Sequence, residues 1–411
     1  MCFAVRKTHF MKKIHSLLTV AALFGSTMLF NACGDDTTGD GGNNNTSNEV
    51  IVTSNVTAST TWTKDKVYIL AGRIAVTAGN TLTIEAGTVI KGQAGSGANA
   101  TALIIARGAK IMAEGTPTMP IIFTSVADEI KSGQIASPNM DPNVDGLWGG
   151  LLIMGKAPCS LSGDVVESAI EGIPPTDANG LFGGTDANDN SGVLKYISIR
   201  HGGANIGEGN EINGLTLGGV GAGTVIENIE VIANQDDGVE FFGGSVNAKN
   251  VVVWNAGDDA IDTDQAWSGT LDGFAVVCGD NTDHALEIDG PEGSANAGNN
   301  LKNGWVKGSA VAEMGNWRSN AQGNFSSIYF FNFDAGMKDG RGDFDLDATS
   351  APNNGTTLNF DKLEVKTDST NLKKIFLDGV DAKVTKVSSN TVGSVAPFAA
   401  WTWADVAGAL K

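Results

Sequence analysis

QDDGVEFFGG, Gln235–Gly244, is followed after a short interval by GDDAIDTDQA, Gly257–Ala266. Both place an acidic pair, an apolar residue and a further carboxylate in the same order. TDHALEID, Thr282–Asp289, repeats the phrase loosely, and INGLTLGG, Ile212–Gly219, is a blander copy before it. Superposing Asn228 on Asn250 puts Ile229 on Val251, Val231 on Val253, Asp237 on Asp259 and Glu240 on Asp262. With small insertions, His284 and Glu287 fall on the next level, and Asn213 and Thr216 on the one before. A period in the twenties is the mark of a solenoid.

Three short strands and three turns fit one such period, and successive coils stack as parallel strands about 4.8 Å apart. Alternation along a strand then turns Leu215, Val239, Ile261 and Leu286 inward and Thr216, Glu240, Asp262 and Glu287 outward. Gly and Asn at the corners supply left-handed backbone. An antiparallel sandwich also has short strands at regular spacing, but it does not predict side-chain identity recurring at this one fixed interval.

The rest of the chain agrees. It holds 54 Gly and only 10 Pro, and no helical period runs through it before the C-terminus. The phrases LWGGLLIMGKAP (147–158), DNSGVLKYISIRHGGA (189–204) and GNEINGLTLGGVGAGTVIENIEV (209–231) resemble the right-handed parallel β-helix proteins of the pectin-lyase-like superfamily, and more narrowly bacterial surface lipoproteins of that fold. The resemblance covers about residues 50–390. It implies an all-β, three-sheet solenoid, and it supplies no active site. On this basis residues 50–395 are the β-helix, opened by TLTIEAGTVIKG (81–92). A long loop excursion occupies about 125–192, and 396–411 form a C-terminal cap. Thr402 and Asp405 have the spacing of a helix-capping box, which predicts a short helix closing the last coil.

Lys12 and Lys13 precede an apolar run, Leu17–Phe30, that ends at Asn31-Ala32-Cys33. This pattern predicts a secretory lipoprotein signal over 1–32, with Cys33 acylated and the protein held in the cell envelope, at the outer membrane. A membrane-spanning helix needs about 20 apolar residues, more than this run provides. The Gly-, Asn-, Thr- and Asp-rich 33–49 reads as a flexible tether. Removing Arg6, Lys7, Lys12 and Lys13 with the signal leaves 23 of the 27 basic residues against 46 acidic, a net charge of −23. Such a surface repels nucleic acid and anionic membrane faces. Of the four cysteines only Cys159 and Cys278 remain for a disulfide, a pairing the sequence leaves open.

The outward column Glu240, Asp262 and Glu287, with Asp264 and Asp289 two residues on, stacks like charges. Two charges about 5 Å apart repel by roughly 0.8 kcal/mol in water and about 3 kcal/mol at an effective dielectric of about 20. Residues 201–300 hold 17 acidic side chains and one basic, Lys249. Either the carboxylates splay into water, or some stay protonated, or a metal sits among them; hard oxygen ligands suit Ca²⁺. A second calcium candidate is DANDNSG, Asp186–Gly192, whose oxygen spacing departs from an EF-hand. The corner column Asn213, Asp237, Asp259 and His284 has a structural role open to it, in which stacked polar side chains satisfy turn backbone.

The alternative is catalytic: Asp237 and Asp259 as acid and base of a hydrolase, with His284 beside them. Polygalacturonases of the superfamily carry an NTD element, a DD pair, a His–Gly and an Arg–Lys in order. Here QDD and GDD come first, NTD (Asn281–Asp283) comes last, and the basic pair is missing. Pectate lyases need a basic residue beside calcium, and the acidic stretch offers none; Arg200–His201 is the nearest pair. The sequence therefore favours a binding protein over an enzyme, with a purely structural or adhesive surface protein as a third possibility. Trp254, Trp267 and Trp317, in or near the acidic region, are the candidate platforms for an extracellular glycan. The Arg341–Asp343 RGD tripeptide is short enough to occur by chance.

Overall fold

The structure is a computed structural model that describes residues 48–206, 211–333, 344–350, 358–376 and 379–411. The signal, Cys33 and the tether up to residue 47, and the RGD tripeptide, lie outside these residues.

Among the described residues, nine short strands stack in parallel, one per coil, from Arg73–Val76 to Phe344–Leu346. Their register carries the predicted inward column: Leu215 lies opposite Val239, Val239 opposite Ile261, and Ile261 opposite Leu286. All four are at most 1% exposed. Larger rings fill the interior beside them, with Phe241 stacked on Trp267 and Phe344 on Trp317, each at 4.0 Å between centroids.

The other faces of each coil are made by one long strand that bends. Gly192–Arg200, Val225–Asn234, Ala248–Ala256, Thr270–Val277, Asn299–Lys307 and Gly323–Phe331 pair in parallel, in that order. At the bend the pairing skips Tyr196, Asn228, Asn250, Gly273, Asn303 and Ser327, all with φ between 50° and 81°, and Val225–Asn234 and Ala248–Ala256 skip a second left-handed pair, Ala233 and Asn255. A left-handed residue turns the strand through this corner, and Asn tolerates that conformation better than most residues. The Asn250 amide also donates to Asn228 Oδ1 at 2.9 Å. Earlier in the stack the two arms are separate strands: Lys110–Glu114 pairs one arm of Gly192–Arg200, and Ile121–Ser125 pairs the other. The coil thus has three faces, as expected.

Three boundaries differ from expectation. The stack starts earlier than TLTIEAGTVIKG, because Glu49–Val52 already pairs with Val67–Leu70, which pairs with Val89–Gly92. The excursion is two loops, 126–150 and 155–191, because Leu151–Met154 returns to the short-strand sheet between Ala102–Ile105 and Leu215–Gly218. That strand is short and is hidden among glycines. A Cβ on Gly150 would lie 2.2 Å from the Asn213 carbonyl oxygen, so the close backbone approach requires glycine there.

The C-terminal segment does not close the last coil. It runs back along the long sheet, burying Phe398, Trp401 and Leu410 against Val252, Ala275, Val277, Trp305 and Tyr329. The helix is there, Trp403–Val406, with Thr402 Oγ accepting from Asp405 N at 3.1 Å. The other half of the box is altered: Asp405 accepts from Ala400 N rather than from Thr402. The apolar residues around the helix serve a lateral surface, which sequence spacing alone could not distinguish from a coil end. Among the described residues, no helix is long and apolar enough to cross a membrane. Cys159 and Cys278 are both free thiols, and burial pushes Cys159 up to about 12.

Candidate functional site

The short-strand sheet lines up the acidic side chains as its register dictates: Thr216 opposite Glu240, Glu240 opposite Asp262, Asp262 opposite Glu287, and Glu287 opposite Asn316. Two residues on, Phe242 lies opposite Asp264, and Asp289 opposite Arg318. At the preceding corner each side chain reaches the next coil. Asp237 Oδ1 accepts from Asp259 N at 2.9 Å, and Asp259 Oδ1 accepts from His284 N at 2.7 Å. The His284 ring adds an Nδ1–Asp259 Oδ1 contact of 2.9 Å, and the Asn213 amide donates to Glu240. Asp237 and Asp259 therefore satisfy turn backbone, and none of Asp237, Asp259 and His284 lies on the wall of the adjacent cavity. These contacts give Asp237, Asp259 and His284 a structural role at the corner.

The column points away from the core but not into open water. Glu240, Asp262 and Glu287 are 6%, 7% and 7% exposed, because the loop 155–191 folds over them. Within that loop Ser168–Ala169 pairs antiparallel with Leu181–Phe182, and Phe182 packs on Phe242 at 6.1 Å. Polar contacts to the coils add to this apolar packing: Ser162 N donates to Glu292, and Ser294 N donates to Asp164. Between loop and sheet lies a cavity of about 430 Å³, with Glu240, Asp262, Asp264, Asp289, Glu292 and Arg318 on its polar side.

Arg318 is the cation that the acidic stretch lacks. Its Nη1 lies 2.7 Å from Glu287 Oε1, and its Nε donates to Asp289 Oδ1 at 2.6 Å. It belongs to the coil after TDHALEID, beyond the point to which the repeat was followed. Carrying the register one coil further, NWR onto EID, is the signal that would have found it. Arg200 and His201 take no part: Arg200 is buried against Glu230 under the long sheet, and His201 Nδ1 contacts the Val144 carbonyl.

One cation does not balance the cluster. Burial, followed by the charge of Asp262, holds Asp237 and Glu240 well above the carboxylate range. Asp262 is raised likewise, by burial and then Asp259. Glu287 is pushed up to about 11 by burial and by Asp259. On the cavity wall, burial lifts Asp264 to about 7. For Asp259, burial works upward, but the His284 hydrogen bond and charge prevail and hold it low; the same pair raises His284 against its own burial. Asp262 Oδ1 has no hydrogen-bond partner. Three ligand atoms lie within 4.8 Å of one another in each of two buried sets: Asp237, Glu240 and Asp262, and Asp259, His284 and Glu287.

Two of the three tryptophans present no face to a sugar. Trp267 and Trp317 are 1% and 0% exposed in the interior, and Trp254 is half-buried beneath Trp403 of the C-terminal segment, edge-on at 6.2 Å. Their positions face the core or the covered flank. In DANDNSG the side chains serve the local turns instead: Asp186 Oδ1 accepts from Asn188 N, and Asn190 Oδ1 from Gly192 N.

The family model of the pectate-lyase-like β-helix domain matches residues 54–406. The chain belongs to that family. Comparison with curated proteins and with solved structures returns no match. Membership of the pectate-lyase-like β-helix family thus agrees with the stacked parallel strands.

Proposed function

We propose that this chain is an envelope-anchored β-helix protein that binds Ca²⁺, and with it an extracellular glycan, in the cavity beneath the loop 155–191. The observation that carries the cation is Asp262, 7% exposed with an unpartnered Oδ1. A buried carboxylate oxygen is stabilised only by a donor, a proton or a metal. The oxygens of Asp237, Glu240 and Asp262 form an all-oxygen set, the donor type that Ca²⁺ takes. Asp264, Asp289 and Glu287 extend it toward the cavity.

The glycan follows from the lining. Carboxylates on the sheet wall suit sugar hydroxyls, and Leu161, Ile170 and Phe182 of the loop, with Phe242 of the sheet beside them, suit the C–H faces of a pyranose. With Arg318 already bonded to two carboxylates, the ligand is a neutral sugar or one bridged by the cation. Anchoring rests on the apolar run ending at Cys33, which tethers the protein by acylation to the outer membrane. A glycan array with and without Ca²⁺ tests the ligand: neutral glycans captured only with Ca²⁺, and lost in Asp262→Asn, are expected. No capture in either condition overturns glycan binding.

A second reading, a polysaccharide hydrolase, is favoured by one observation. Asp264, lifted to about 7, and Asp289, held by Arg318, occupy equivalent places on successive coils of the same cavity. Carboxyls in such unlike surroundings are the arrangement of an acid and its partner. Reducing-sugar release that falls at least about 100-fold in Asp264→Asn supports it; release unchanged by that substitution removes it.

A further inference from the structure

The cavity cluster holds more charge than one cation can balance. Five carboxylates, those of Asp237, Glu240, Asp259, Asp262 and Glu287, are each at most 7% exposed, and Arg318 is the full cation bonded to one of them. One divalent ion and Arg318 leave two negative charges uncompensated in a poorly solvated place, a costly state. A second divalent ion offsets that charge, with Arg318 shared between Glu287 and Asp289.

Geometry divides the ligands the same way. The two buried three-residue sets share no residue. The strand register places Asp262, a member of the first set, beside Glu240 on one coil and beside Glu287 of the second set on the next. Successive coils repeat about every 4.8 Å, close to the roughly 3.5–4 Å of two-metal centres. The residue in the middle is the one whose Oδ1 is buried and unpartnered.

We propose that the cluster is a two-cation centre in which Asp262 is the shared carboxylate, bridging an all-oxygen subsite of Asp237 and Glu240 and a mixed subsite of Asp259, His284 and Glu287. This rests on the cation-binding function proposed above and adds a second ion of different preference. The oxygen subsite suits Ca²⁺ or Mn²⁺, and the imidazole of the second suits Mn²⁺ or Zn²⁺. The imidazole of His284 would ligate the second ion as the neutral base. Asp259, which now accepts from that ring at 2.9 Å, becomes a ligand beside it.

Mn²⁺ is the probe, because it fits both subsites and is paramagnetic. The purified full chain, stripped by chelator, is titrated calorimetrically and examined by electron paramagnetic resonance. About two equivalents and the spectrum of a spin-coupled pair are expected. His284→Ala should retain about one equivalent with the spectrum of an isolated ion, and Asp262→Asn should weaken both by about 10-fold or more. Circular dichroism and His284→Gln guard against a folding defect. One equivalent, uncoupled and indifferent to His284→Ala, overturns the two-cation centre while leaving a single-cation site standing. Absence of binding by either Mn²⁺ or Ca²⁺ overturns both.

Discussion

Two regions of this β-helix bury charge, and they do it differently. Under the long sheet, Arg200 and Glu230 are 0% exposed and 3.6 Å apart. Ser198 joins them, accepting from Arg200 Nε and donating to Glu230 Oε2, and Ile135 O accepts from Arg200. Ala404 N of the C-terminal segment donates to Glu230 Oε1, and the guanidinium lies 5.1 Å from the Trp403 ring. One positive charge meets one negative, and the partners come from the first loop, the sheet and the C-terminal segment. This site is a clamp. Beneath the loop 155–191, by contrast, carboxylates outnumber cations and a cavity adjoins, while each region leaves a buried atom without a hydrogen-bond partner, Arg200 Nη1 in the first and Asp262 Oδ1 in the second. Balanced buried charge fastens the fold, and unbalanced buried charge is where the proposed cation would bind.

Substitutions that unbalance the first region sharpen the contrast most. Glu230→Ala leaves Arg200 buried without its partner and should cost about 3–5 kcal/mol in denaturant unfolding. Asp262→Asn removes one of several mutually repelling carboxylates and should instead leave the chelated protein as stable as wild type, or more stable. If both substitutions destabilise alike, the distinction collapses. The next largest effect is ligand linkage. Ca²⁺ at about 100 times its dissociation constant should stabilise wild type by about 2.7 kcal/mol, and Glu230→Gln, if folded, should keep that increment.

The pH response has an unusual sign. Burial raises Asp236 and Asp264 to about 7 and Asp258 to about 6, so between an unfolded value near 4 and those values the native state holds protons that the unfolded state has released. Stability of the chelated protein should therefore fall as pH rises from about 4 to 7. Thermal melts at pH 5 and pH 8 check this, and Ca²⁺ should shrink the difference. The smallest effect concerns the clamp alone: Thr402→Ala removes the cap of the C-terminal helix, costs about 1 kcal/mol, and should not alter cation affinity.

Much of this was legible in the sequence. The recurrence that sets Asp237 on Asp259 identified the coil, the inward column and the acidic file, because parallel stacking leaves a one-coil register little freedom. Asn228 and Asn250 announced the left-handed corners. What escaped depended on the third dimension. Arg318 follows Asp289 by a longer interval than the one between Asp237 and Asp259, because the period has lengthened there. The burial of Glu240 and Asp262 comes from a loop with no repeat of its own. The indoles of Trp267 and Trp317 carry no mark that separates a core ring from an exposed one, and Trp254 is covered by a segment from the far end of the chain.

The most direct test of the central claim is a calorimetric titration of chelator-stripped protein with Ca²⁺, run on wild type and Asp262→Asn, each paired with a thermal melt. Saturable heat and a raised melting temperature in wild type, both lost in the variant, are the predicted result. A wild type that neither takes up Ca²⁺ nor gains stability from it would contradict the account.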